Sequence, residues 1–125
     1  MSEYDEYASE QLVQHREGRL HLQVFEDVAQ TTPEDISGKT FSAVIYNPEN
    51  PTEVYARAVG SEQVEVTVET STIVLIFPAS TFATATWKVA EYTVDDITDL
   101  ANPKPFLPPD QIRLKQAASP SVPTP

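Results

Sequence analysis

The chain has 125 residues, no cysteine and a formal net charge of −11. This length suits a single domain with a modest core, and the lack of cysteine excludes disulfide bonds and thiolate zinc sites. The negative charge argues against nucleic acid and anionic membrane surfaces as partners, because binding to either gains from lysine and arginine. We therefore predict neither a nucleic-acid partner nor a membrane partner.

The charge is unevenly divided along the chain. Residues 1–100 hold 18 acidic and 5 basic side chains, a net −13, whereas residues 101–125 hold 1 acidic and 3 basic side chains, a net +2. The acidic balance suits either plain solubility or a specific role such as cation binding. Residues 1–6 are acidic where a secretory signal is basic, and no stretch reaches the roughly 18 apolar residues of a membrane span. We expect synthesis in the cytoplasm.

The first half of the chain begins without periodicity and then alternates. Residues 1–10 mix acidic residues with Tyr and Ser and predict a flexible acidic arm. Residues 19–26 alternate apolar and polar side chains and predict a strand, with which residues 12–15 are expected to pair. The loop that follows, over residues 27–38, ends in Gly38, which we expect at positive φ.

Further short strands follow at regular spacing. Residues 40–46 alternate, with Phe41, Ala43 and Ile45 on one face. The proline-containing segment 47–51 predicts a turn because proline removes a backbone donor. The remaining predicted strands are 53–59, 63–69 with Val64, Val66 and Val68 inward, 73–77 as a central strand, and 84–94. About six or seven short strands without a helical pattern predict an all-β, antiparallel sandwich.

The C-terminal part differs in composition. Seven of the 11 prolines follow residue 102, which predicts a sandwich domain over residues 11–100 and a proline-rich extended tail over residues 101–125. Apolar residues in a tail outside the core need a partner surface, so Phe106, Leu107, Ile112 and Leu114 are predicted partner contacts. The alternative is that Phe106 and Leu107 fold back onto their own sandwich.

The usual catalytic and ligand-binding motifs are not fulfilled. Gly38, Lys39 and Thr40 imitate the end of a phosphate-binding loop, but Pro33 stands where that loop requires glycine. The two histidines, His15 and His21, lack the neighbours of a zinc site or a catalytic base. We predict a protein that is not an enzyme and has no cofactor and no resident metal.

Two groups of residues leave alternatives open. Asp95, Asp96 and Asp99 lack the glycine and the distal glutamate of a helix-loop-helix calcium site, yet they could collect a cation at a strand end or form a solvated turn. Aromatic side chains could form a carbohydrate platform, although their place within apolar alternation favours the core. These aromatic residues are Phe41, Phe77, Trp87 and Tyr92.

A turn motif precedes the strand at residues 40–46. It consists of Asp35, Ile36, Ser37 and Gly38. Physically, Ile36 can plug the open end of a sandwich, Asp35 or Ser37 can bond the turn backbone, and Gly38 can reverse the chain.

This arrangement resembles the amino-terminal domain of phage baseplate upper proteins, an immunoglobulin-like sandwich, over about residues 16–98. In that family a later aromatic strand closes the sandwich, a place that residues 83–92 with Trp87 fit. The resemblance implies a virion structural protein of the tail, baseplate or neck. Such a protein docks onto a larger symmetric assembly, with other virion proteins or further copies of itself as partners. The alternatives are a phage capsid decoration protein and a stand-alone carbohydrate- or calcium-binding module.

Overall fold

The computed structural model describes residues 11–25, 32 and 34–117. These residues form eight strands and a single-turn 3-10 helix at Val68–Thr70, and they contain no helix that could cross a membrane. The strands are β1 (Gln11–Val13), β2 (Gly18–Gln23), β3 (Phe41–Asn47), β4 (Asn50–Ala58), β5 (Val64–Thr67), β6 (Thr72–Phe77), β7 (Val89–Asp96) and β8 (Lys104–Lys115).

The strands build two sheets with one core between them. The larger sheet has the order β1-β8-β7-β3-β4 and the smaller one the order β2-β6-β5. Neighbouring strands are antiparallel except β1 and β8, which are parallel. Both sheets contribute to one buried cluster, so the fold is an all-β sandwich. The largest fully buried side chains are Ile36, Phe41, Ile45, Ile73, Leu75, Phe77, Val94 and Ile112.

The sequence alternation explains which face of each strand is buried. In β3, Phe41, Ala43 and Ile45 point into the core, as predicted. Strand β6 lies in the middle of the smaller sheet, as its apolar run predicted, and is buried on both faces.

The outer face of β6 is covered by long polar side chains from its two neighbours. Val74 and Ile76 are 6% and 8% exposed although they face away from the core. Arg19 on β2 and Glu65 on β5 meet above them, with Nη1 and Oε1 4.0 Å apart. The aliphatic stems of such side chains shield apolar surface while their charges stay in water. This face is therefore closed by the domain itself.

Residues 104–115 are part of the sandwich, so the prediction that the domain ends at residue 100 is wrong. Strand β8 lies between β1 and β7, and Ile112 and Leu114 are 0% and 3% exposed in the core. They are core residues and not the predicted partner contacts. The prolines that suggested a tail are compatible with a strand where they occupy an open edge, since only a ladder hydrogen bond requires the missing N–H.

Three strand predictions also differ from the structure. Strand β1 pairs with β8 and not with β2, a contact between distant segments that local patterns do not encode. Residues 81–84 form turns, so β7 begins at Val89 instead of residue 84. Strand β5 ends at Thr67, and Val68 is 42% exposed because it begins a 3-10 turn whose side chains are not buried.

Candidate interaction surface

The turn motif closes one end of the sandwich. Asp35 Oδ1 accepts hydrogen bonds from the Ser37 backbone N–H at 3.0 Å and from the Ser37 hydroxyl at 2.7 Å. Both donors lower the pKa of Asp35. Ile36 is fully buried, and Gly38 has φ 72°, where a Cβ would be strained. The motif therefore acts as a structural plug with the geometry that its residues predict.

The carboxylate of Asp96 links Lys39, the residue after the turn motif, to the β7–β8 loop. Its Oδ1 accepts hydrogen bonds from the Thr98 hydroxyl at 2.5 Å and the Thr98 N–H at 2.9 Å, and its Oδ2 lies 3.4 Å from Lys39 Nζ. The Thr98 donors, followed by Lys39, lower the pKa of Asp96. Thr98 Oγ1 also accepts the Thr40 N–H at 2.9 Å. Asp96 thus has a local structural role.

The three aspartates proposed for cation binding do not converge. Asp99 accepts the Ala101 N–H and the Asn102 amide, both at 3.1 Å, while Asp95 and Asp96 follow each other on a strand and point to opposite faces. Across residues 11–25, 32 and 34–117, no three metal-capable side chains form a group. The cation-binding hypothesis for these aspartates is not supported by their geometry.

The β7–β8 loop presents an exposed leucine on a braced turn. Leu100 is 77% exposed. Asp99 precedes it, and the carboxylate and backbone carbonyl of Asp99 accept three hydrogen bonds within the turn. Asn102 donates two of these hydrogen bonds. The Ile97 N–H donates to the Thr40 carbonyl at 2.8 Å and fixes the start of the loop. The leucine is therefore held in place rather than left on a loose segment.

Residues 100–109, called the β8 ridge, continue this apolar surface. Eight of the ten residues are Leu, Ala, Pro or Phe, and Lys104 is the one charged residue among them. Phe106 and Leu107 are half-buried and pack on their own core, as the fold-back alternative states, with the Phe106 ring 4.7 Å from that of Phe41. The other ridge residues are exposed, and a groove of about 480 Å³ runs between residues 105–109 and the side chains of Thr93 and Asp95.

Beside the ridge, the stretch of β8 that has no partner strand among the described residues is poor in backbone donors. Pro105, Pro108 and Pro109 have no N–H. The Leu114 N–H donates to the carbonyl of Lys88, next to β7. Successive N–H groups of a strand point to opposite sides, so the Gln111 N–H faces away from β7. There Asp110 Oδ1 accepts it at 2.8 Å. Such an edge disfavours the addition of another strand.

At the edge of β4, a side chain occupies backbone hydrogen-bonding groups. The side-chain amide of Gln63 accepts the Val59 N–H and donates to the Arg57 carbonyl, both at 3.4 Å, and Pro51 removes a further donor. Together with the β8 edge, this indicates that a partner would meet side chains on this sheet rather than extend it.

A buried glutamine was missed by the sequence reasoning. Gln14 is 7% exposed, and its Nε2 donates to the carbonyls of Phe82 at 2.9 Å, Ala85 at 3.0 Å and Ala83 at 3.3 Å. Its Oε1 accepts the Ala117 N–H at 3.3 Å. The residue ties the end of β1 to the β6–β7 connection, and no local sequence pattern distinguishes it from an exposed glutamine.

The aromatic residues belong to the packed interior and its border. Phe41, Phe77 and Tyr92 are buried, which agrees with the core interpretation. Trp87 is half-buried, stacks on Tyr55 with ring centroids 5.0 Å apart, and meets Phe82 edge-on at 5.5 Å. These contacts hold the Trp87 ring against other aromatic rings of the domain.

The chain matches no protein-family model, no curated protein and no solved structure. The likeness of residues 16–98 to baseplate domains therefore rests on the sequence motif alone.

Proposed function

We propose that the chain is a non-enzymatic virion assembly domain with an immunoglobulin-like sandwich. The strand order supports this fold type. In immunoglobulin variable-type domains, strands G, F, C and C′ form one sheet and B, E and D the other. Here β8-β7-β3-β4 and β2-β6-β5 follow the same orders in the same chain sequence. The resemblance of the turn motif supports a phage tail, baseplate or neck as the setting. A capsid decoration protein would use the same ridge contact that is described next.

The observation that carries the proposal is the braced, 77% exposed Leu100 at the head of the β8 ridge. Burying one leucine side chain contributes about 1.5–3 kcal/mol. A turn already fixed by hydrogen bonds loses little conformational entropy when a partner covers it, so more of that contribution appears as affinity. The exposed prolines next to it are equally rigid. The ridge is thus the part of the described surface best suited to protein contact.

The occupant that we assign to the ridge is another copy of the chain. Lys104 gives the ridge a positive charge and no negative one, whereas residues 1–100 have a net charge of −13. Two copies therefore attract when the β8 side of one faces the acidic remainder of the next. This contact joins two different surfaces, and repeated contacts of that kind generate rings or filaments.

The test is the solution mass of the full chain, measured by light scattering over a wide concentration range. The parent chain is expected to associate, and Leu100→Lys to remain monomeric at the same concentrations. Val68→Lys is the matched control, because Val68 is an exposed apolar residue away from the ridge at 42% exposure. A parent chain that stays monomeric, or equal association of both variants, would refute the ridge contact.

The symmetry of the associated species tests the virion setting. Electron microscopy of the parent chain at high concentration is expected to show uniform particles, either closed rings or regular filaments. Irregular aggregates of variable size would count against an assembly domain, since non-specific association has no fixed rotation between neighbours.

A further inference from the structure

A basic corner lies at the far end of β8 from the ridge. Lys88, Arg113 and Lys115 border a groove of about 320 Å³ whose floor includes Val89, an aliphatic side chain that is 42% exposed. The corner gathers three of the eight basic residues of a chain with net charge −11. Such a concentration of positive charge around an apolar floor suits an acidic peptide segment that also carries apolar or aromatic side chains.

None of these three cations has a carboxylate partner within the part of the chain that the structure describes. The ion pairs there join Arg19 to Glu17 and Glu65, and Lys39 to Asp96. Gln11 also lines the groove. The chain segment that precedes it, residues 1–10, lies outside the described residues and contains four carboxylates, two tyrosines and no basic side chain.

We propose that residues 1–10 of the same chain occupy this groove, because their four carboxylates complement its three cations. Ten residues span at most about 33 Å, so every position of the segment can reach a groove that begins at its own attachment point. The tether makes the contact intramolecular and raises the effective concentration of the segment to about the millimolar range.

The neighbouring edge of β8 is a poor alternative for the same segment. Strand β1 pairs with β8 as far as Arg113, and continuation in the same register would bring Glu10 opposite Ile112, Ser9 opposite Gln111 and Ala8 opposite Asp110. Asp110 already occupies the Gln111 N–H and adds a negative charge, and Pro109 and Pro108 follow. An acidic strand would meet repulsion and missing donors there.

The absence of cysteine allows a direct test with a single spin label. In the full chain, Ser2→Cys carries a nitroxide, and the line widths of the backbone amides are measured by NMR. Broadening is expected at residues 88–90 and 113–115, and it is expected to weaken at high salt because exposed charges are screened. Uniformly sharp signals at these positions, or broadening that salt leaves unchanged, would overturn the proposal.

Two triple variants separate the corner from overall charge. Replacing Lys88, Arg113 and Lys115 by glutamine is expected to remove the broadening, whereas replacing Arg16, Arg57 and Lys104 by glutamine, with the same change in net charge, is expected to retain it. Equal effects of the two sets would contradict the assigned groove. A mixed sample separates binding within one chain from binding between chains. It contains isotope-labelled chains without the nitroxide and unlabelled chains with it, and we expect sharp lines. Broadening confined to that mixture would refute binding within one chain.

Discussion

Gln14 offers the sharpest test of how the sandwich is held together. Gln14→Met keeps a similar volume and removes the amide, so the hydrogen bonds to the carbonyls of Phe82 and Ala85, at 2.9 and 3.0 Å, are lost. Each neutral hydrogen bond contributes about 1 kcal/mol, and a buried carbonyl left without a donor costs about 1–3 kcal/mol, so the free energy of unfolding should fall by about 2–4 kcal/mol.

Urea unfolding followed by the fluorescence of Trp87, the single tryptophan, measures this change in the same region of the domain. With a slope of about 2 kcal/mol per molar urea, the middle of the usual range, the midpoint should fall by about 1–2 M. Gln116→Met is the control, because Gln116 also donates to a backbone carbonyl, that of Trp87 at 3.0 Å, but is exposed. A loss for Gln14→Met no larger than that of the control would refute the role assigned to this residue.

Two further predictions concern the ends of the sandwich. A chain ending at Leu100 lacks β8, which separates β1 from β7, so circular dichroism should show no cooperative unfolding; a cooperative transition would contradict the placement of β8. Hydrogen bonds from Thr98 and the nearby Lys39 lower the pKa of Asp96 in the folded state. The ionised carboxylate therefore stabilises the fold above the ordinary aspartate pKa of about 3.9. This stabilisation is lost as the pH falls through the lower pKa of the folded state. Asp96→Asn should therefore be less stable than the parent at neutral pH, and the difference in thermal midpoint should close in acid; a constant difference would contradict this linkage.

Local patterns were sufficient for the elements whose burial follows from neighbouring residues. The alternation in β3 and the apolar run of β6 predicted their faces correctly, because side chains in a strand point to opposite sides in turn. The turn around Ile36 and Gly38 was equally predictable, since its carboxylate, hydroxyl and glycine act within four residues.

The other parts of the fold could not be predicted from local patterns, because they depend on pairing between distant segments. The prolines of β8 predict a tail because proline counts against a strand, and only the pairing register shows that Pro105, Pro108 and Pro109 lie outside the stretch of β8 that pairs with β1. The parallel pairing of β1 with β8 joins segments about one hundred residues apart, and Gln14 bonds to carbonyls near residue 83. The sequence analysis named Phe106 and Leu107 but not Leu100, although Asp99 braces the turn of Leu100 with the same local carboxylate-to-backbone hydrogen bond that Asp35 makes.

Hydrogen–deuterium exchange of the full chain at low and high protein concentration locates the contact between copies without requiring a variant. We expect exchange to slow with concentration at the amides of Leu100, Ala101 and Lys104 and at an acidic surface elsewhere, while the amides of β6 remain unchanged. Protection that does not depend on concentration, or that appears on the edges of β4 and β5 but not on the β8 ridge, would contradict it.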